Sequence, residues 1–109
     1  MMRVKGDQAV LVIIDLQEKL MKVMPDREMV VNNTLILLEL AHQFNIPVIV
    51  TEQYPRGLGP TLAEIKEVLK DHILLEKITF SAGQDLTESL QKIGRKQIIV
   101  VGSETHVCV

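Results

Sequence analysis

Asp15, Lys77 and Cys108 supply a base, a cation and a thiol, the set that covalent acyl transfer requires. Each stands where an apolar run ends. Asp15 closes Ala9-Val10-Leu11-Val12-Ile13-Ile14, Lys77 follows Ile73-Leu74-Leu75-Glu76, and Cys108, the only cysteine, follows Ile98-Ile99-Val100-Val101 through Gly102-Ser103-Glu104-Thr105-His106-Val107. A thiol with an ordinary pKa of about 8.5 is a weak nucleophile at neutral pH, and a nearby ammonium or a helix N-terminus stabilises its thiolate. Lys77 is the candidate ammonium. Asp15 is the candidate general base, taking the thiol proton and returning it to a leaving amine. Backbone N–H groups in the turn before Cys108 are placed to hold an oxyanion.

Each residue also has a plainer reading. A lone cysteine is more often a small buried hydrophobe than a nucleophile. Lysine beside Glu76 is, by itself, an ordinary solvated pair. Asp15 is harder to explain as structure, since an acid ending a six-residue apolar run has little local reason to be there. The three together favour chemistry. Gln17, Tyr54 and His106 are candidate substrate contacts, with Gln17 weighed against satisfying loop backbone and that structural role favoured. His42 and His72 lack a second ligand at metal spacing and read as structural.

The elements that must position these groups can be read from pattern. Continuous, β-branched Ala9 to Ile14 reads as a strand buried on both faces. Asp26 can cap a helix running to about Phe44, with Val30, Leu37, Leu40, Ala41 and Phe44 at helical spacing and Asn45 as its C′ residue. Pro47 to Thr51 gives a second strand, and Glu52 to Pro60, with two glycines and two prolines, reads as irregular loop. Thr61 is placed to cap a short helix through Lys70, followed by a third strand at Ile73-Leu74-Leu75. Leu86, Leu90 and Ile93 mark another helix, stopped by Gly94, and Gln97 to Val101 is a fourth strand. Alternating strands and helices predict an α/β fold with a mainly parallel sheet and helices on both faces. Ligands in such sheets bind beyond the carboxyl ends of the strands where strand order reverses.

Composition narrows the function. Twelve basic and fourteen acidic residues, interspersed, leave a net charge of −2 and no cationic stripe for phosphates or an anionic membrane surface. Aromatic residues are 3% with no tryptophan, so no base-stacking platform is expected. Neither nucleic acid nor membrane is an expected partner; a small-molecule substrate is. One cysteine cannot form an internal disulfide and no signal-peptide core is evident, so a cytoplasmic location is expected. Asp15-Leu16-Gln17-Glu18 stands where a dinucleotide-binding glycine motif would follow the first strand, and no cofactor is expected.

Three pieces, Val12-Ile13-Ile14-Asp15-Leu16-Gln17-Glu18, the lysine of Glu76-Lys77-Ile78-Thr79-Phe80-Ser81, and Gly102-Ser103-Glu104-Thr105-His106-Val107-Cys108-Val109, occur in this order with strands between them. This layout resembles the isochorismatase-like cysteine hydrolases, a group that includes nicotinamidases and N-carbamoylsarcosine amidases. The resemblance implies a three-layer, Rossmann-like α/β/α sandwich, of which the four N-terminal strands are present. It implies a catalytic triad of Asp15, Lys77 and Cys108, an oxyanion hole from the N–H groups of Glu104 and Cys108, a cis peptide between Ser103 and Glu104, and a thioester intermediate.

Two departures matter. Nicotinamidases carry an aspartate and histidines after the second strand; Thr51 to Gly59 contains no histidine, which disfavours a zinc-dependent nicotinamidase, and no metal is expected. Family members also continue past the cysteine with a helix and two more strands. Residues 1–109 are therefore expected to form one C-terminally incomplete domain, with the fourth strand as an exposed edge, inactive or poorly folded by itself. Isochorismatase proper cleaves a vinyl ether without a thiol, so the cysteine argues against that branch. The expected function is hydrolysis of a small amide or related carbonyl substrate, in a homo-oligomer. The alternative is a catalytically silent oligomerisation or protein-interaction module of the same fold.

Overall fold

The computed structural model describes residues 6–53, 55–77, 83–102 and 106–108; at Gly6, Lys77, 83–85 and 106–108 the description is of the backbone. β1 (Ala9–Ile14) has no polar side to turn toward water, and it lies inside the sheet with Ala9 to Ile13 essentially inaccessible. Parallel neighbours flank it on both sides: β2 (Val48–Gln53), paired from Leu11↔Val48 to Ile14↔Thr51, and β4 (Gln97–Gly102), paired from Ala9↔Gln97 to Ile14↔Gly102. β3 (Ile73–Lys77) adds to β2 in parallel. The order is β3-β2-β1-β4-β5, with β5 (His106–Cys108) at the far edge, so strand order reverses between β1 and β4.

Alternation along β1 sorts its side chains onto two faces. Leu11 and Ile13 join Val48, Val50 and Val101 in a core closed by α1 (Glu18–Met21), α2 (Arg27–Gln43) and α4 (Ala63–Lys66) through Met21, Val30, Leu38, Ala41 and Ile65. Val10 and Val12 face the other way with Ile49, against Leu86, Leu90 and Ile93 of α5 (Gly83–Ile93). Helices on both faces make the three layers expected of the α/β/α sandwich. Each fully buried branched side chain contributes about 1.5–3 kcal/mol relative to exposure.

α2 ends as its sequence indicated. Asn45 takes φ +54, its N–H reaches the His42 carbonyl at 3.5 Å, and the Ile46 N–H reaches that of Ala41 at 2.8 Å, a Schellman closure. Its start differs in detail, since Asp26 occupies the N-cap position without a side-chain cap hydrogen bond. The buried stripe is also displaced. Val30, Val31, Thr34, Leu38 and Ala41 face the sheet, while Leu40 and Phe44 are exposed, because apolar residues surround this helix and spacing alone does not select a face.

Three further expectations are corrected. Glu52 and Gln53 extend β2, and Pro55–Leu58 forms one helical turn, α3, in the stretch read as irregular. The helix expected from Thr61 to Lys70 is only the single turn α4, capped at Leu62; Thr61 instead binds the Glu52 carboxylate. The outer edge of β4 is not open either. β5 (His106–Cys108) folds back against it, antiparallel, from Val101↔His106 to Ile99↔Cys108. Unpaired strand N–H and C=O groups attract any available strand, and here the chain supplies its own.

Candidate active site

β1 ends one residue before Asp15, which leaves the ladder with φ +53, a left-handed conformation that aspartate tolerates better than most residues. Thr51 fastens it there. The Asp15 N–H donates to the Thr51 carbonyl at 3.1 Å and to Oγ1 at 3.2 Å, and the Thr51 hydroxyl donates back to Asp15 Oδ1 at 2.8 Å. Asp15 is half-buried, and Oδ2 has no protein partner among the described residues. One carboxylate oxygen is thus held while the other keeps its acceptor capacity, the arrangement a general base needs. Asp15 also stands beside the β1/β4 reversal, where α/β sheets bind ligands.

Next to Asp15, the walls are tied by side chains. Gln17 is fully buried; its Nε2 donates to the carbonyls of Gln53 at 2.9 Å and Gly59 at 2.8 Å, and its Oε1 accepts from the Gln53 N–H at 2.8 Å. Both amide hydrogens are therefore engaged with backbone, and none is left for a substrate. Backbone bonds from Glu18 to Pro60 (3.0 Å) and from Leu62 to Leu16 (2.9 Å) close the same seam. Gly59 turns the strap at φ +82, and a Cβ there would sit 3.3 Å from Cβ of Glu18. Glu52, 7% exposed, accepts from both the N–H and the hydroxyl of Thr61 on Oε2, at 2.8 and 2.7 Å. Two oxygen-directed hydrogen bonds compensate a carboxylate that would otherwise be costly to bury.

Thr51 and Glu52 were not among the sequence candidates. Their signal was the polar run Thr51-Glu52-Gln53 continuing an apolar strand, all three of them buried.

The register places the other expected groups. Lys77 pairs with Gln53, and Glu52 pairs with Glu76, so the Lys77 backbone lies on the Asp15 rim, two strands from β1. Two strand spacings correspond to about 10 Å. Cys108 pairs with Ile99, which is level with Leu11, four residues below Asp15 and two strands away. Their backbones are thus separated by roughly 16 Å, from about 3.3 Å per residue and 4.8 Å per strand. The backbone of His106 is opposite Val101. Tyr54, Glu104 with its N–H, and the Ser103–Glu104 peptide lie outside the described residues. His72 is exposed with Nδ1 2.7 Å from the Lys70 carbonyl, and Nε2 of His42 is buried with no partner among the described residues. Among the described residues no three His, Cys, Asp or Glu side chains form a group that could hold a metal.

Residues 9–109 match the Isochorismatase domain family. The chain belongs to the isochorismatase family. This family member is 38% identical over 110 residues to isochorismatase domain-containing protein 2 of Danio rerio, covering 98% of this chain and 54% of that protein. Solved structures agree in fold. The MAR1 ribonuclease of Caenorhabditis elegans is similar at TM-score 0.81 and 31% identity, over 93% of this chain and 53% of its own. YcaC from Pseudomonas aeruginosa, with hexane-2,5-diol and covalent acrylamide, reaches TM-score 0.82 at 26% identity, over 92% and 52%. YcaC from Escherichia coli, an octameric hydrolase of unknown specificity, gives TM-score 0.82 at 27% identity, over 94% and 53%. The chain spans about half the length of the relatives it matches.

Proposed function

We propose that this isochorismatase-family chain carries the nucleophile and base of a cysteine hydrolase acting on a small amide or related carbonyl compound. The observation that carries the reading is the carboxylate of Asp15, fixed by Thr51 at the strand-order reversal with Oδ2 unengaged among the described residues. Asp15 takes the proton of the Cys108 thiol, and the thiolate attacks the substrate carbonyl carbon while Lys77 stabilises negative charge. The C–N bond breaks as Asp15 returns the proton to the leaving amine, and a thioester remains. Water, deprotonated by Asp15, cleaves the thioester to the acid and regenerates the thiol. The N–H groups of Glu104 and Cys108 hold the oxyanion in both steps. For this, β5 must leave the edge of β4, and a three-residue edge strand has few bonds to lose.

The covalent acrylamide in Pseudomonas aeruginosa YcaC supports the reading, since acrylamide is an electrophile of the kind thiolates attack. The ribonuclease name of another neighbour suggests RNA, but the interspersed charge of this chain favours a small substrate. The octameric neighbour supports a homo-oligomer. A single cysteine suits a reducing compartment such as the cytosol.

A second reading, a catalytically silent interaction module, is favoured by the position of Cys108 opposite Ile99, away from the rim. Thiol reactivity separates the two. In the enzyme, Cys108 is alkylated by acrylamide faster than free cysteine at pH 7, and Asp15→Asn or Lys77→Met slows it; Cys108→Ala abolishes hydrolysis of a small-amide panel while the circular dichroism spectrum is kept. Alkylation at the free-cysteine rate, indifferent to Asp15 and Lys77, supports the silent module.

A further inference from the structure

We propose that Gln17 is a positioning residue for Asp15, its side-chain amide replacing a peptide group that β1 ceases to supply. This rests on the reading of Asp15 as the general base. In a parallel ladder the strand that receives a bond from one residue returns a bond two residues on. The Asp15 N–H reaches the Thr51 carbonyl at 3.1 Å, so a straight continuation of β1 would offer the Asp15 carbonyl to the Gln53 N–H. Asp15 instead turns aside at φ +53, and the last registered backbone pair is Ile14↔Thr51. The Gln53 N–H and C=O, both buried, would lose their partners.

Gln17 fills the gap. Its amide has the same donor and acceptor as a peptide, and it meets the Gln53 N–H at 2.8 Å and the Gln53 C=O at 2.9 Å while its second hydrogen anchors the Gly59 carbonyl at 2.8 Å. With Gln17 inaccessible to solvent, water cannot substitute for these bonds. Without the amide, the end of β2 regains its partner only if the chain at Asp15 straightens, which pulls the carboxylate from Thr51. A neutral amide is also the group that holds this point without adding a second negative charge two residues from Asp15.

The test uses Gln17→Met, which keeps length and bulk and removes the donors and acceptor. Amide hydrogen exchange at Asp15 and Gln53, carbon-13 titration of the Asp15 carboxyl, and Cys108 alkylation by acrylamide are measured together on folded protein. Exchange at both amides is expected to accelerate about tenfold or more relative to Val10 and Val12. The Asp15 titration curve moves, and alkylation drops toward the Asp15→Asn rate. Unchanged Asp15 exchange and titration in folded Gln17→Met overturn the proposal. If the variant does not fold, wild-type exchange decides: protection of the Gln53 amide equal to that of Val50 supports the surrogate bond, and rapid exchange overturns it. If Asp15→Asn leaves alkylation unchanged while Gln17→Met still alters Asp15 exchange and titration, the positioning stands and the base assignment falls.

Discussion

Thr51 is the residue on which the geometry of Asp15 turns, because it contributes one carbonyl and one hydroxyl to the same neighbour. Valine preserves shape and removes only the hydroxyl, leaving Asp15 Oδ1 without its donor in a half-buried place. Thr51→Val is expected to cost about 1–2 kcal/mol in urea unfolding and to slow Cys108 alkylation. Unaltered stability and alkylation would show that the backbone bond alone holds Asp15. Glu52 stands in a different relation to the rim: its carboxylate is spent on Thr61 and so shapes the wall.

At the scale of elements, α4 is tethered to the start of α2 by an ion pair between Arg27 and Glu64, Nη2 to Oε2 at 2.8 Å. A hydrogen bond from its own backbone N–H, and then the Arg27 guanidinium, hold the Glu64 carboxyl below its usual range. A lowered carboxyl pKa contributes stability that is complete above the unfolded-state value and is lost as pH falls through the folded-state value. The stability difference between wild type and Arg27→Gln is therefore expected to be present at pH 7, small because both groups are well exposed, and to close as Glu64 is protonated or in 1 M salt. A difference that persists in acid would mean that the Arg27 stem acts through packing.

For the molecule as a whole, the consequential feature is a groove of about 280 Å³ between α2 and the β1/β4 face, lined by Leu11, Leu37, Leu40, Ala41, Phe44, Ile46 and Ile99. Leu40 is 42% and Phe44 61% exposed, an apolar surface at the border of the α2 stripe that packs on the sheet. Contiguous apolar surface of this kind binds hydrophobic probes. The double variant Leu40→Gln, Phe44→Gln is expected to lower binding of an environment-sensitive apolar dye and to change the unfolding free energy by less than about 1 kcal/mol. A large loss of stability would place these side chains in the core.

The order and type of the main elements were legible because they depend on short-range chemistry. The unbroken apolar run at Ala9 to Ile14 demanded burial on both faces, and Asn45 and Gly94 ended their helices by adopting positive φ. The acid after β1 was equally legible as an anomaly. Pairings between distant parts of the chain were not legible. Glu52 and Gln53 are strand because Glu76, Lys77 and the Gln17 amide supply partners 36 or fewer residues away in sequence, and Thr61 forgoes capping because Glu52 lies beside it. The outward turn of Leu40 and Phe44, the folding of β5 onto the free edge of β4, and the grip of Thr51 on Asp15 were decided by which surfaces and hydrogen-bonding groups met in three dimensions.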